Sequence, residues 1–152
     1  FKQKTAYEIR KGDWSSDVCS YDLMTREQIW GIALDPAGKA SDQILFVCGA
    51  LIGSVERGSH SVTRAVALEN AAANRRLRYS IRPDDLAGTD AAARAEGLQL
   101  VGIYHSHPDR AASFSPEDAE GAWPWLSYVV LSLRNGRFEA ARSFRAVPPE
   151  AR

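Results

Sequence analysis

Hydrophobic and polar positions from residue 24 onwards follow two periods, one typical of strands and one typical of helices. The continuous apolar run at 43–53 indicates a strand that is buried on both faces. Alternating apolar and polar residues at 60–68 and at 75–81 predict two half-buried strands. Residues 83–97 begin with a proline and two acids, are rich in alanine and end at a glycine, so they predict a helix.

The second half of the chain continues this mixture of elements. The pattern predicts a strand at 98–107, a helix at 115–123 and a closing hairpin at 127–145. A further helix is expected to begin at Thr25 and to end early, before Pro36. The strands and helices do not follow a strict βαβ repeat. The predicted fold class is therefore α/β, with a mixed β-sheet flanked by helices in two or three layers.

Residues 1–23 differ from the rest because they follow neither period. Their sequence resembles the translation of a short-read sequencing adapter, and the likeness lies in KQKTAYEI and in DWSSDVCS followed, after Tyr21, by DL. We therefore predict that residues 1–23 are a non-native, disordered segment and that residues 24–152 form a single domain. The protein itself is expected to start at or before Met24.

Composition and charge narrow the classes of function. The 152 residues include nineteen basic and nineteen acidic side chains, and removal of residues 1–23 leaves fifteen of each. Because the net charge is zero, the protein as a whole is not attracted electrostatically to nucleic acid or to an acidic membrane surface, so neither is expected as a partner. The apolar runs are shorter than the roughly 20 residues of a membrane span. With no signal-peptide pattern and only two cysteines, the sequence predicts a cytoplasmic protein.

Two histidines at the end of the predicted strand 98–107 are candidate metal ligands. Residues two apart on a strand point to the same face, so His105 and His107 can present two imidazoles to one ion. Catalytic zinc typically takes three protein ligands and keeps a fourth position open. Pro108 ends the strand, and the next helix offers Asp118 from its first turn as a third ligand.

The same residues also have a purely structural interpretation. Ser115 is a good N-cap, Pro116 suits the first helical position, and Asp118 is the acid of a capping box. The two histidines could be ordinary residues at a strand end. Each structural interpretation is favoured when it is taken alone. Together, two of the three histidines in the chain at same-face spacing, facing a helix terminus, favour a metal site.

This stretch resembles a family signature. The JAMM (MPN-plus, JAB-domain) metallopeptidases have a motif of His, any residue, His, Pro, six residues, Ser, two residues and Asp. Every spacing of this motif is kept by His105, His107, Pro108, Ser115 and Asp118. The likeness extends over most of residues 44–145 and is strongest to the small prokaryotic members. It implies a cytidine-deaminase-like sandwich, in which helices flank a mixed sheet.

The resemblance also implies a chemistry. Zinc would be held by His105, His107 and Asp118, and Ser115 would be a catalytic residue that hydrogen-bonds the developing oxyanion. The bond cleaved would be a peptide or isopeptide bond after the C-terminus of a ubiquitin-like protein. In small prokaryotic members, the implied partner is a ubiquitin-like sulfur-carrier protein or its conjugate.

One residue of the family pattern is missing. The family has a glutamate base three residues before the glycine of a Cys-Gly pair; here that glycine is Gly49, and Phe46 stands at the base position. A phenylalanine cannot transfer a proton. A sequence error within 36–47 could hide the natural glutamate, or another carboxylate could replace it. The nearest in sequence, Asp42 and Glu56, are both poorly placed for this role.

A third explanation is a catalytically inactive, zinc-containing module that binds ubiquitin-like proteins. For the 152 residues as written, we predict zinc binding with little or no hydrolysis. A separate hypothesis without metal treats the motif as structural only, and it predicts that the purified protein contains no zinc.

Overall fold

The computed structural model describes residues 14–17, 46–134 and 137–146. Within these ranges the chain forms six strands and two helices. In chain order they are β1 (Trp14–Asp17), β2 (Cys48–Glu56), β3 (Ser59–Leu68), α1 (Pro83–Ala95), β4 (Gln99–Pro108), α2 (Pro116–Gly121), β5 (Ser127–Arg134) and β6 (Arg137–Ala146). All six strands belong to one sheet, so the predicted α/β class, with a mixed sheet and helices, is confirmed.

The sheet has the strand order β1-β6-β5-β4-β2-β3. All neighbours are antiparallel except β4 and β5, which are parallel. Parallel strands need a crossover connection, and α2 lies within this one. Both candidate histidines are therefore on a central strand, at the end from which the chain leaves towards α2.

The hydrophobic core lies on both faces of the sheet. On one face, Leu86 and Ala93 of α1 are buried among side chains of the central strands, including Ile103 and Val130. The other face has its own buried cluster, formed by Leu51, Val62, Val101, Tyr104, Val129 and Leu131. The central strands are thus buried on both faces, as their continuous apolar sequences predict.

Helix α1 and the β2–β3 pair follow the sequence pattern closely. Pro83 opens α1, two acids follow in its first turn, and Gly97 comes after its end with a φ of 79°. Strand β3 covers the predicted run at 60–68, whereas β2 begins only at Cys48, later than the apolar run that starts at 43. Among the described residues, no helix is long and apolar enough to cross a membrane.

The prediction of a strand at 75–81 is wrong. Leu77 and Arg78 donate their backbone N–H groups to the carbonyl of Asn74, which closes a turn. Further along, the side chain of Asn70 bonds the carbonyl of Arg78 and the N–H of Ser80, at 3.0 Å each. A buried asparagine side chain thus takes the place of a partner strand, and the segment stays irregular.

The first 23 residues are described only at Trp14–Asp17. These four residues form β1, which pairs antiparallel with the outer edge of β6 from Ala146 to Ser143. The unpaired backbone groups of an edge strand accept a short additional strand of this kind. The non-native, disordered character of residues 1–23 and the single domain at 24–152 stay predictions. The helix expected at Thr25 lies outside the described residues.

Candidate metal centre

The two histidines lie side by side on β4, as their spacing predicts. His105 is fully buried and His107 is 4% exposed. Between them, Ser106 points to the other face, where its hydroxyl accepts the backbone N–H of Val47 at 2.9 Å. The alternation of a strand therefore aims both imidazoles at the face that also carries the helices.

Asp118 reaches the histidines from the first turn of α2. The Ser115 hydroxyl accepts the Asp118 N–H, and the Asp118 carboxylate accepts the Ser115 N–H, both at 3.0 Å. The capping box expected from the sequence is therefore present, with Pro116 at the start of the helix. It fixes a carboxylate that is itself only 8% exposed.

Potential ligand atoms of three residues lie close together. The Nε2 atoms of His105 and His107 are 3.1 Å apart. The Nε2 of His105 lies 3.3 Å from Oδ1 of Asp118, and the Nε2 of His107 lies 3.3 Å from Oδ2 of Asp118. Tetrahedral zinc with bonds of about 2.05 Å places its ligands about 3.3 Å from one another, so each of these distances suits two ligands of one zinc ion. Among the described residues, His105, His107 and Asp118 are the group of side chains that could hold a metal ion.

Protonation of the three side chains also suits a cation. The Nδ1 of His107 lies 2.9 Å from the carbonyl of Ala111, which can only accept, so the hydrogen is on Nδ1 and Nε2 keeps a lone pair. Burial lowers the pKa of His105 and outweighs the opposing effect of Asp118. Burial disfavours the ionised form of Asp118, but the adjacent histidines and the Ser115 N–H hold its pKa well below the usual range.

The ring of His105 is held differently from that of His107. Its Nδ1 is the buried side-chain polar atom that lacks a hydrogen-bond partner among the described residues. Instead, Tyr79 stacks on the imidazole, with 4.3 Å between ring centroids and 18° between ring planes. Sequence reasoning missed this contact because it placed Tyr79 on a strand. A buried aromatic next to an irregular segment gives no local signal of its partner.

Ser115 can combine its capping role with a catalytic one. A hydroxyl has one donor and two acceptor positions, and the cap uses one acceptor. The O–H of Ser115 therefore stays available to donate, and the residue lines a cleft of about 890 Å³ beside the three ligand atoms.

Phe46, which the resemblance places at the position of the base, lies in the wall of this cleft. The ring is 5% exposed, and its centroid lies 5.7 Å from that of His107. Two hydrogen bonds hold the backbone of Phe46. Its N–H donates to the backbone carbonyl of Arg75 at 2.7 Å, and its carbonyl accepts the side-chain amide N–H of Asn70 at 3.0 Å. The position faces the site, and only the chemistry of its side chain is unsuitable.

The proposed substitutes for the base gain no support from the described residues. Glu56 is the last residue of β2, at the end opposite to Phe46, and its side chain is exposed. Asp42 lies outside the described residues. Burial raises the pKa of the nearby Cys48 thiol to about 12, so the thiol is protonated at neutral pH.

Residues 47–147 match the family described as prokaryotic homologs of the JAB domain. The chain is 36% identical to the desampylase of Haloferax volcanii over 104 residues, which is 68% of this chain and 73% of the desampylase. It is 35% identical over 74 residues to a probable TtuB-protein conjugate cleaving protease of Thermus thermophilus, covering 49% of this chain and 50% of that protein.

Two solution structures share the fold. A protein from Salinibacter ruber has a TM-score of 0.57 and 32% identity, over 84% of this chain and 93% of its own. A protein from Desulfitobacterium hafniense has a TM-score of 0.60 and 27% identity, over 71% and 72% of the two chains.

Proposed function

The chain belongs to the prokaryotic homologs of the JAB domain, and from this premise we propose that its site is that of a zinc-dependent peptidase or isopeptidase. The substrate class would be a ubiquitin-like sulfur-carrier protein, cleaved after its C-terminus. The observation that carries the proposal is the cluster of two Nε2 atoms, 3.1 Å apart, each of which lies 3.3 Å from one of the two oxygens of the Asp118 carboxylate. The names of the two relatives, a desampylase and a conjugate-cleaving protease, support the substrate class.

The described residues divide the work between them. His105, His107 and Asp118 would hold zinc, which supplies, when bound, Lewis acidity and a nucleophile that is available at neutral pH. Ser115 would donate its free O–H to the carbonyl oxygen of the substrate as negative charge develops there. Such a donor contributes about 3 kcal/mol to transition-state stabilisation in other enzymes. Burial of the site strengthens these interactions, because the surroundings are less polarisable than water.

Phe46 deprives the site of a general base. No proton can pass through its ring, so we propose that the chain as written binds zinc but hydrolyses its substrate slowly or not at all. The family match begins at Val47, directly after this residue. That boundary supports a sequence error within 36–47, which would hide the glutamate of the natural protein. The alternative function is an inactive, zinc-containing module that binds ubiquitin-like proteins.

Replacement of Phe46 by glutamate tests the proposal. The backbone of this position is held by Arg75 and Asn70, so a glutamate would point into the same wall of the cleft. Burial would raise the pKa of its carboxyl towards neutrality, as a general base requires. Phe46→Gln is the matched control, since glutamine has the same shape as glutamate but cannot accept the proton.

The measurements are zinc content and the cleavage of a sulfur-carrier fusion by the full chain and both variants. We expect zinc in all three proteins and turnover in Phe46→Glu alone. Zinc without turnover in any of them would favour the binding module. A protein purified without chelator that contains no zinc would favour the structural interpretation of the motif.

A further inference from the structure

One buried side chain connects the two segments that pack against the metal ligands. Asn70 follows the end of β3 and is 8% exposed. Its amide nitrogen donates to the carbonyls of Phe46 and Arg78, each at 3.0 Å. Its amide oxygen accepts the N–H groups of Ala72 and Ser80, also at 3.0 Å. An amide has two N–H groups and two acceptor positions, so the hydrogen-bonding capacity of this side chain is fully used.

Two of these bonds fix the backbone of Tyr79. The Arg78 carbonyl belongs to the peptide group before Tyr79, and the Ser80 N–H belongs to the peptide group after it. These two planar groups meet at the Cα of Tyr79, so a side chain that holds both of them fixes its φ and ψ and the direction of its Cβ. The ring of Tyr79 stacks on His105, with 4.3 Å between the ring centroids.

A third bond reaches the aromatic ring beside the other histidine. The Phe46 carbonyl accepts an N–H of Asn70, and the centroid of the Phe46 ring lies 5.7 Å from that of His107. His107 is also oriented independently, because its Nδ1 donates to the Ala111 carbonyl at 2.9 Å. Among the described residues, the Nδ1 of His105 has no such partner. Any effect of Asn70 on the ligands should therefore act mainly on His105.

The loop has further backbone bonds that do not involve the Asn70 side chain. The Ala71 N–H donates to the Ser80 carbonyl at 2.8 Å, and the Phe46 N–H donates to the Arg75 carbonyl at 2.7 Å. These bonds would remain in a variant that lacks the amide. The path of the loop should then be kept, while the aromatic ring that it carries gains freedom to turn.

We propose that Asn70 is a positioning residue of the metal centre, which directs the Nε2 lone pair of His105 by holding the backbone on both sides of Tyr79. The inference rests on the proposed function for the ion and its ligands. It goes further by assigning an orienting role to a residue that is neither a ligand nor part of the cleft wall. A purely structural role of Asn70 would change stability and leave the metal centre as it is.

Zinc affinity separates the two roles. Competition with a chromophoric chelator gives the dissociation constant for the full chain, and Asn70→Ala should raise it about tenfold, as loss of an outer-shell partner does at metal sites. Val62→Ala is the control for lost stability, because Val62 is 7% exposed in the cluster on the other face of the sheet. It should leave the constant unchanged. An unchanged constant in Asn70→Ala as well would overturn the inference.

A double-mutant cycle tests whether the effect passes through Tyr79. Tyr79→Leu removes the stacked ring, so Asn70→Ala should add little to it if both act on His105 by the same route. We expect each single variant and the double variant to weaken zinc by about the same factor of ten. A double variant that is weakened about a hundredfold would show independent effects and would overturn the route through Tyr79.

Proton NMR of the zinc-free chain gives a reading that does not depend on the metal. The stacked phenol ring shifts the ring protons of His105 upfield, and Asn70→Ala should remove this shift and leave the ring protons of His107 nearly unchanged. Retention of the shift would overturn the inference. A chain that binds no zinc, but loses the shift in this variant, would reject the proposed metal and keep Asn70 as the residue that positions Tyr79.

Thermal unfolding of each variant identifies any that fail to fold. Asn70→Asp is the second variant for that case, since it keeps the size and the acceptor oxygens of Asn70 but loses the amide N–H groups. It releases the Phe46 and Arg78 carbonyls and keeps the bond from the Ser80 N–H. We expect the same changes in zinc affinity and in the His105 shift, at smaller amplitude, and their absence would again overturn the inference.

Discussion

The phenol ring of Tyr79 lies flat on the imidazole of His105, with 4.3 Å between the ring centroids. In the part of the chain that the structure describes, the Nδ1 of His105 has no hydrogen-bond partner to fix the rotation of its ring, whereas the Nδ1 of His107 donates to the Ala111 carbonyl. The two ligands are therefore oriented by different means, one by a hydrogen bond and one by aromatic packing. An ion site depends on this orientation, because a misdirected Nε2 lone pair cannot bind the metal.

Replacement of Tyr79 by leucine should therefore lower zinc affinity about tenfold, since the stacking surface is lost while apolar volume is largely kept. Competition with a chromophoric chelator measures the dissociation constant. Tyr79→Phe keeps the stacking ring and should bind zinc as the unmodified chain does. An unchanged dissociation constant in the leucine variant would mean that packing does not orient His105.

Asn70 should be important for stability. Its amide group donates to the carbonyls of Phe46 and Arg78 and accepts the N–H groups of Ala72 and Ser80, each at 3.0 Å. Asn70→Ala removes all four bonds at a site that is 8% exposed, and we expect a loss of about 2 to 4 kcal/mol in the free energy of unfolding.

Urea unfolding of Asn70→Ala and of a control variant measures this loss. Asn74→Ala removes a side-chain bond to the Arg76 N–H in an exposed turn, and it should cost less than about 1 kcal/mol. Similar losses in the two variants would show that the four hydrogen bonds of Asn70 do not add more to the free energy of unfolding than the single bond of Asn74 does.

Zinc should raise the melting temperature of the protein. A ligand that binds the folded state at a hundredfold excess over its dissociation constant adds about 2.7 kcal/mol, which corresponds to about 5 to 10 °C for a domain of this size. Calorimetry with added zinc, and then with excess chelator, should show this rise and its reversal. Asp118→Ala removes one of the three ligands, so its melting temperature should hardly respond to zinc.

His60 should make stability depend on pH far from the metal site. Its Nδ1 lies 2.7 Å from the Ser127 hydroxyl, and burial, aided by the charge of Arg145, lowers its pKa to about 4. In the unfolded chain the imidazole takes up its proton near pH 6.5, so the unfolded state gains protons first as the pH falls. The stabilising effect is complete above about pH 6.5 and is lost progressively as the pH falls towards 4.

We expect about 1 kcal/mol of this stability to be lost by pH 5, after allowance for the partial exposure of the ring to solvent. Urea unfolding at several pH values measures it. His60→Gln has no imidazole to titrate, and its curve should lack this component below pH 6.5. Parallel curves for the two proteins would assign the acid sensitivity to other groups.

The placement of the three candidate ligands could be predicted from the sequence because the information that places them is local. Strand alternation puts His105 and His107 on one face, and the capping box places Asp118 at the start of α2. The family motif then connects the two elements, which neither periodicity nor capping does by itself.

The surroundings of these ligands could not be predicted, because they depend on contacts between distant segments. Residues 75–81 alternate as a strand does, but the Asn70 side chain bonds the backbone of Arg78 and Ser80, and Tyr79 stacks on His105. The stacking of Arg110 on Phe46 joins two residues 64 positions apart in sequence. No pattern within a window of ten or twenty residues contains such contacts.

The parallel pairing of β4 with β5 has a consequence for the order of folding. Two antiparallel hairpins, β2–β3 and β5–β6, join neighbours in sequence and close short loops, so they can form early. Strand β4 pairs with both of them, with Cys48 on one side of His105 and Val130 on the other. Their docking on β4 buries the strand that carries His105 and His107, so the rate at which a refolding chain becomes able to capture zinc should report this assembly of the sheet.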